Sequence, residues 1–160
     1  LGRDETTYAL IAGADRRAYS YEAPSHDGSW KQFLLAELGE QLPLDRILFT
    51  GLLDYTDYRA LLWRSDLHCY FTRPYVTSWS LFEAAACGAR LAVNKSPATR
   101  GIAKDETVTW VDLDNQQDLT QKLNHALDHK SNPSQLMPGF DLDTALHQWE
   151  GLFNRALQSN

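Results

Sequence analysis

The sequence predicts an α/β fold, a Rossmann-like, doubly wound parallel sheet. Three observations predict it. Short apolar runs alternate with segments of helical periodicity five times along the chain. The runs are apolar throughout rather than alternating with polar residues, the pattern of parallel strands covered on both faces. Polar or glycine-closed loops follow the runs, at 14–29, 50–54 and 72–78. In open parallel sheets ligands bind at that edge, outside the carboxyl ends of the strands.

Each element has its own justification. Residues 8–12 (YALIA) are a short apolar run ended by Gly13, a buried-strand signal. Residues 15–29 are polar, with Gly, Pro and Ser, and read as a long loop. In 30–42, Trp30, Phe33, Leu34, Leu38 and Leu42 make a helical stripe, which Ser29 can cap. Residues 47–49 form a second strand closed by Thr50 and Gly51, and 56–63 a second helix with Thr56 or Asp57 as cap. A third strand spans 67–71, a third helix 78–87 closed by Gly88, and a fourth strand 89–94. Residues 97–103 suit a short turn or helix, and 108–111 a fifth strand followed by Asp112, Leu113 and Asp114. In 116–128, Leu119, Leu123, Ala126 and Leu127 recur at helical spacing. Residues 131–141 carry Pro and Gly and read as a linker. The last helix, 143–157, is amphipathic through Ala145, Leu146, Trp149, Leu152, Phe153 and Leu157. The expected organisation is a Rossmann-like domain over 1–135. Residues 136–160 follow as a linker and terminal helix that packs on this domain or on another one. Leu1, Gly2, Arg3 and Asp4 lead almost directly into the first strand, as in an excised domain.

Composition narrows the function. The 160 residues are enough for one domain with a real core, and 43% hydrophobic with 22% charged residues is an ordinary globular balance. A formal net charge of −6 argues against nonspecific binding to nucleic acid or to an anionic membrane. No apolar run approaches the roughly 18 residues of a spanning helix, and no signal peptide precedes the first strand. Cys69 and Cys87 lie in apolar segments and are expected as buried free thiols, which fits a reducing cytoplasm. His26, His68, His125, His129 and His147 form no metal-ligand spacing; His125 and His129 stand four apart without a third ligand. Gly-x-Ser-x-Gly, the P-loop and the dinucleotide Gly-x-Gly-x-x-Gly are all missing.

The chemistry concentrates in residues 72–88, T-R-P-Y-V-T-S-W-S-L-F-E-A-A-A-C-G. A strand, a polar loop, a helix start and a nearby acid make a seat for a nucleotide. Free N–H groups of the first turn, at Ser78, Trp79, Ser80 and Leu81, can hold phosphate. Glu83, one turn in, can accept hydrogen bonds from a ribose. Thr72 and Arg73 leave the third strand toward the same edge. Ser78 is equally suited to be an ordinary cap, and both roles can hold at once.

The series I-L-F-T-G at 47–51, Y-R-A-L-L-W-R-S-D-L at 58–67 and S-W-S-L-F-E-A-A-A-C-G at 78–88 resembles glycosyltransferase family 4. The match is to the carboxy-terminal, donor-binding domain of those GT-B enzymes, over most of the chain. The resemblance implies a retaining, metal-independent transferase of hexosyltransferase type with no cofactor. It would take a glycosyl group from a nucleoside-diphosphate sugar to an acceptor glycan or lipid held by an amino-terminal domain. It implies that Glu83 holds the donor ribose and that the amides of Ser78 to Leu81 meet the pyrophosphate. Arg16 or Arg17, after Gly13, would clamp that pyrophosphate, with Lys31 a distant third choice. It further implies a cytoplasmic location, with any peripheral membrane association made through the other domain, and no sugar transfer by this chain alone. The sequence departs from the family at three places. Tyr75 stands where the family has its first glutamate, which contacts the transferred sugar. Pro97-Ala98-Thr99-Arg100-Gly101 lacks the acid of the family's turn, because Arg100 is there. Lys104-Asp105-Glu106 replaces a glycine-rich stretch. Tyr75 and Arg100 support an alternative, a non-catalytic interaction or binding module with the same fold. An unrelated flavodoxin-like or regulator domain fits less well, because a phospho-receiver's acidic cluster and lysine are misplaced.

Overall fold

A computed structural model describes residues 5–15, 21–73, 77–130 and 132–158. The fold is α/β, with parallel strands flanked by helices. Two compact units divide the chain, Leu1–Tyr58 and Arg59–Asn160.

In the first unit, β1 (Ala9–Ala12) pairs in parallel with β2 (Ile47–Gly51). Leu10 faces Leu48 and Ile11 faces Phe49; the register then slips, so that Ala12 meets Gly51. Gly51 has φ +68°, a backbone conformation that L side chains rarely adopt. Helix α1 (Trp30–Leu38) starts where the cap predicts: the Ser29 Oγ accepts from the Gln32 N–H at 3.0 Å. It stops short of Leu42, because Gly39 opens a tighter turn, Gly39–Gln41, before Pro43. The loop before α1 holds a short turn in which His26 (φ 59°) and Asp27 (φ 51°) are left-handed. Leu10, Ile11 and Leu48 are exposed. Within this unit a two-stranded sheet has only α1 and short turns to cover it.

Helix α2 (Tyr55–Arg64) contains the division between the units. Its cap is neither Thr56 nor Asp57. The Asp57 N–H donates to the Asp54 carboxylate at 2.8 Å, and the helix begins one residue earlier than expected.

In the second unit, β3 (His68–Tyr70), β4 (Leu91–Asn94) and β5 (Val108–Val111) form a parallel sheet in that order. All the pairings within each unit are parallel, as the fold class predicts. β4 is central and buried throughout, as its unbroken apolar run predicts. Helix α3 (Trp79–Ala86) buries Leu81, Ala84 and Ala85. It ends as the glycine predicts: Gly88 has φ +69°, its N–H donates to Ala85 O, and the Ala89 N–H donates to Ala84 O. Helix α4 (Gln116–Asp128), capped by the Asn115 side chain, packs on β5. Residues 132–140 are bonded to the domain rather than hanging as a free linker. Ser134 N–H donates to Ala89 O, Lys104 N–H to Gln135 O, and Met137 N–H to Ile102 O. Phe140 stacks edge-on against Phe82 of α3. Helix α5 (Leu142–Gln158) follows, with Leu146, Trp149, Leu152 and Phe153 all exposed.

Both cysteines are free, but the expectation of buried thiols is corrected: Cys69 is exposed and Cys87 half-buried. β3 lies at the end of its sheet, which leaves Cys69 uncovered within this unit. Among the described residues no helix is long and apolar enough to cross a membrane.

Candidate functional site

The carboxyl edge of β3–β4–β5 is built from level strand ends. Tyr70 pairs with Val93, and Asn94 with Val111. Past β3 the chain is pinned to β4 by one side chain. Buried Asn94 accepts from the Thr72 N–H through Oδ1 and donates to Thr72 O through Nδ2, both at 2.8 Å. The loop after β4 is held by buried Thr99, whose Oγ1 donates to Asn94 O at 2.8 Å and accepts from the Ser96 N–H at 3.1 Å. Thr77 Oγ1 donates to Ala98 O, tying the approach to α3 to the same turn.

Between these loops lies an open crevice of about 530 Å³, within the range of small-molecule sites. Thr72 and Arg73 after β3, Lys95 and Ser96 after β4, Asp112 and Asp114 after β5, and Lys122 of α4 line it. Its charges are largely paired. Arg73 reaches Asp114 at 3.5 Å, with both side chains more than three-quarters exposed. Lys122 holds Asp118 at 2.8 Å. The Lys122 hydrogen bond, followed by the Asp112 N–H, keeps the Asp118 carboxyl below its ordinary pKa of 3.8. Lys95 is anchored by its N–H to Val111 O and extends an exposed side chain.

The start of α3 is engaged by protein groups. The Ser78 N–H donates to the Tyr70 hydroxyl at 3.0 Å, the Ser80 N–H to Ser78 Oγ at 3.2 Å, and the Leu81 N–H to Ser78 O at 3.1 Å. Ser78 is therefore an N-cap, and three of the four expected phosphate-binding amides already have partners. The Trp79 ring is 82% exposed and lies against Phe82. Glu83 is half-buried on α3, and no hydrogen bond or ion pair reaches its carboxylate among the described residues. Thr72 and Arg73 line the crevice; Glu83 and the α3 start do not. Arg100, exposed, closes the turn after β4 through its N–H to Ser96 O.

In the first unit, the Gly13 N–H donates to Gly51 O at 2.9 Å and is thereby satisfied. Lys31 stands over the Phe49 ring at 4.4 Å. Arg16, Arg17 and Tyr75 fall outside the described residues. A second open cavity, about 480 Å³, is lined by Asp15, Glu22 and Asp27 beside Ser29 and Trp30. Ser29 donates to the Asp15 carboxylate at 2.8 Å.

Asn94, Tyr70 and Lys95 escaped the sequence reading. Their signal was position alone: Tyr70 and Asn94 lie at or next to the ends of the third and fourth apolar runs, and Lys95 follows the fourth.

No family model matches the chain, and no curated protein matches it. Solved structures do. The chain is similar to Alr3699/HepE of Anabaena, crystallised in complex with UDP, at 17% identity and TM-score 0.60. That match covers 81% of this chain and 34% of the other. It is also similar to sucrose-phosphate synthase (tll1590) of Thermosynechococcus elongatus, at 17% identity and TM-score 0.63. There the coverage is 94% of this chain and 39% of the other. The chain thus spans between a third and two-fifths of the length of these proteins. At this identity the likeness shows the fold: the Rossmann-like α/β arrangement of one half of a GT-B protein.

Proposed function

We propose that the chain is the nucleotide-sugar-binding half of a two-domain GT-B glycosyltransferase of the family 4 type. The observation that carries the reading is α3. It follows β3 through a short loop and carries Glu83, a half-buried carboxylate with no partner among the described residues. A carboxylate so placed is suited to accept from vicinal ribose hydroxyls. The likeness to a protein crystallised with UDP adds support for a nucleotide as ligand.

In this reading Glu83 orients the ribose, and the α3 start and Thr72–Arg73 side receive the diphosphate. No group of this chain reacts covalently. Its contribution is positioning and support of the charge on the departing diphosphate. The reaction is retaining and uses neither metal nor cofactor. A second domain holds the acceptor, a glycan or lipid, and the 160 residues alone transfer no sugar.

One observation favours a second reading, a binding module without transfer. The Ser78, Ser80 and Leu81 amides are satisfied within the protein, as in an ordinary helix start. Titration of the labelled chain with UDP, GDP and ADP separates the two. The donor-site reading expects amide shifts at Thr72, Arg73 and 78–83 with at least one of them. No binding of any of the three at millimolar concentration refutes it and leaves the module.

A further inference from the structure

The Arg73–Asp114 pair joins the loop after β3 to the loop after β5 across the mouth of the crevice, over the end of the central strand. The pair does not hold the loops in place. Thr72 is fixed by Asn94, and the chain after β5 by the Asp112 N–H to Asp118 and the Asp114 N–H to Asp112. At 3.5 Å and more than three-quarters exposed, it is a pair of the weak surface kind. Around it, Lys122 is taken by Asp118, and Lys95 lies close enough to act on the same Asp118 carboxylate. Arg73 is therefore the guanidinium at this edge whose charge a weakly held side chain masks.

We infer that Asp114 is an affinity-setting counter-ion, which occupies Arg73 and yields it when a diphosphate enters. The inference rests on the donor-site reading above. A bound diphosphate can offer Arg73 two oxygens and more charge than one carboxylate, so the exchange runs toward the ligand. Asp114 also repels that ligand directly. Its presence lowers affinity and disfavours ligands carrying too little charge to displace it.

The test is UDP binding by the wild-type chain, Asp114→Asn, Arg73→Ala and the double variant, followed by calorimetry or amide shifts. All substituted positions are exposed, and thermal melts confirm folding. The expected result is about two- to fivefold tighter binding in Asp114→Asn, the scale of breaking an exposed pair. Arg73→Ala binds more weakly, and in that background Asp114→Asn gains less than it does in the wild type. Asp114→Asn equal to or weaker than wild type overturns the inference while leaving the donor site standing. An equal gain with and without Arg73 overturns it too, because Asp114 then acts only by general repulsion. Failure of all four proteins to bind any of UDP, GDP and ADP at millimolar concentration refutes the donor-site reading and the inference together; where GDP or ADP is the one that binds, the same four proteins are compared with it.

Discussion

Asn94→Ala probes the joint on which the crevice depends. Asn94 makes two hydrogen bonds at 2.8 Å to one residue, Thr72, and is itself buried. A neutral intramolecular hydrogen bond contributes about 0.5–1.5 kcal/mol net, so losing both costs about 1–3 kcal/mol. Thr72 is only half-buried, and water can replace part of the loss, which places the expectation near about 2 kcal/mol. For a chain of this size that is a fall of roughly 4–8 °C in melting temperature. Urea unfolding gives the free energy, and hydrogen exchange gives the site. The Thr72 amide should lose protection in Asn94→Ala and keep most of it in Asn94→Asp, which retains the acceptor and loses the donor. A stability change under about 0.5 kcal/mol, the range of ordinary surface substitutions, with Thr72 still protected, refutes the clamp.

Three further predictions concern the neighbouring elements. Glu83→Gln should weaken UDP binding by about 1–3 kcal/mol, the scale of charge-assisted hydrogen bonds, as read by calorimetry; an unchanged affinity removes Glu83 from the site. Ser78→Ala should cost about 1 kcal/mol in urea unfolding, because the Ser80 N–H loses its cap; a neutral result means water serves equally well there. Asp118 has a depressed folded pKa, so its contribution to stability is present above the unfolded value near 3.8. That contribution is lost as pH falls through the lower folded value. Asp118→Asn should therefore flatten the acid limb of the stability profile, and an unaltered limb between the two proteins counts against the Lys122 latch.

The parts of the fold legible in the sequence are those fixed by local chemistry. β5 and α4 have the expected bounds because a β-branched run and a strong helical stripe sit between polar caps. α3 is bracketed by Ser78 and Gly88, whose roles are local and specific. The cap of α2 was missed because Asp54, Thr56 and Asp57 are all competent caps, and a contest among neighbours is decided by backbone geometry. The order β3–β4–β5 and the exposure of Cys69 depend on which strands pair within the unit, which the apolar runs do not encode. The same applies to the site. Glu83 and Thr72 stand out beside helix and strand signals, whereas the Asn94–Thr72 bond joins residues 22 apart through the parallel register. Tyr70 reads as a strand aromatic until its hydroxyl is seen at Ser78.

The start of α3 bears on both readings of the function in a way that charge resolves. Its amides are satisfied by a phenol, a serine hydroxyl and a backbone carbonyl, all neutral acceptors. Hydrogen bonds to an ionised acceptor are roughly twice as strong as neutral ones, and the helix dipole favours the anion further. Exchanging neutral partners for a diphosphate is thus downhill at each amide, provided the displaced groups find water. The Tyr70 hydroxyl and both Ser78 acceptors can do so, because Ser78 is exposed and Tyr70 is half-buried. Arg73 presents the same exchange with the opposite sign of charge, a weakly held carboxylate waiting to be replaced. On the donor-site reading, an edge whose donors are mostly held by replaceable partners stays largely satisfied when empty and still gains on binding. Such an edge would select for ligands with enough charge to displace several partners at once, as a nucleoside diphosphate has and a neutral sugar does not.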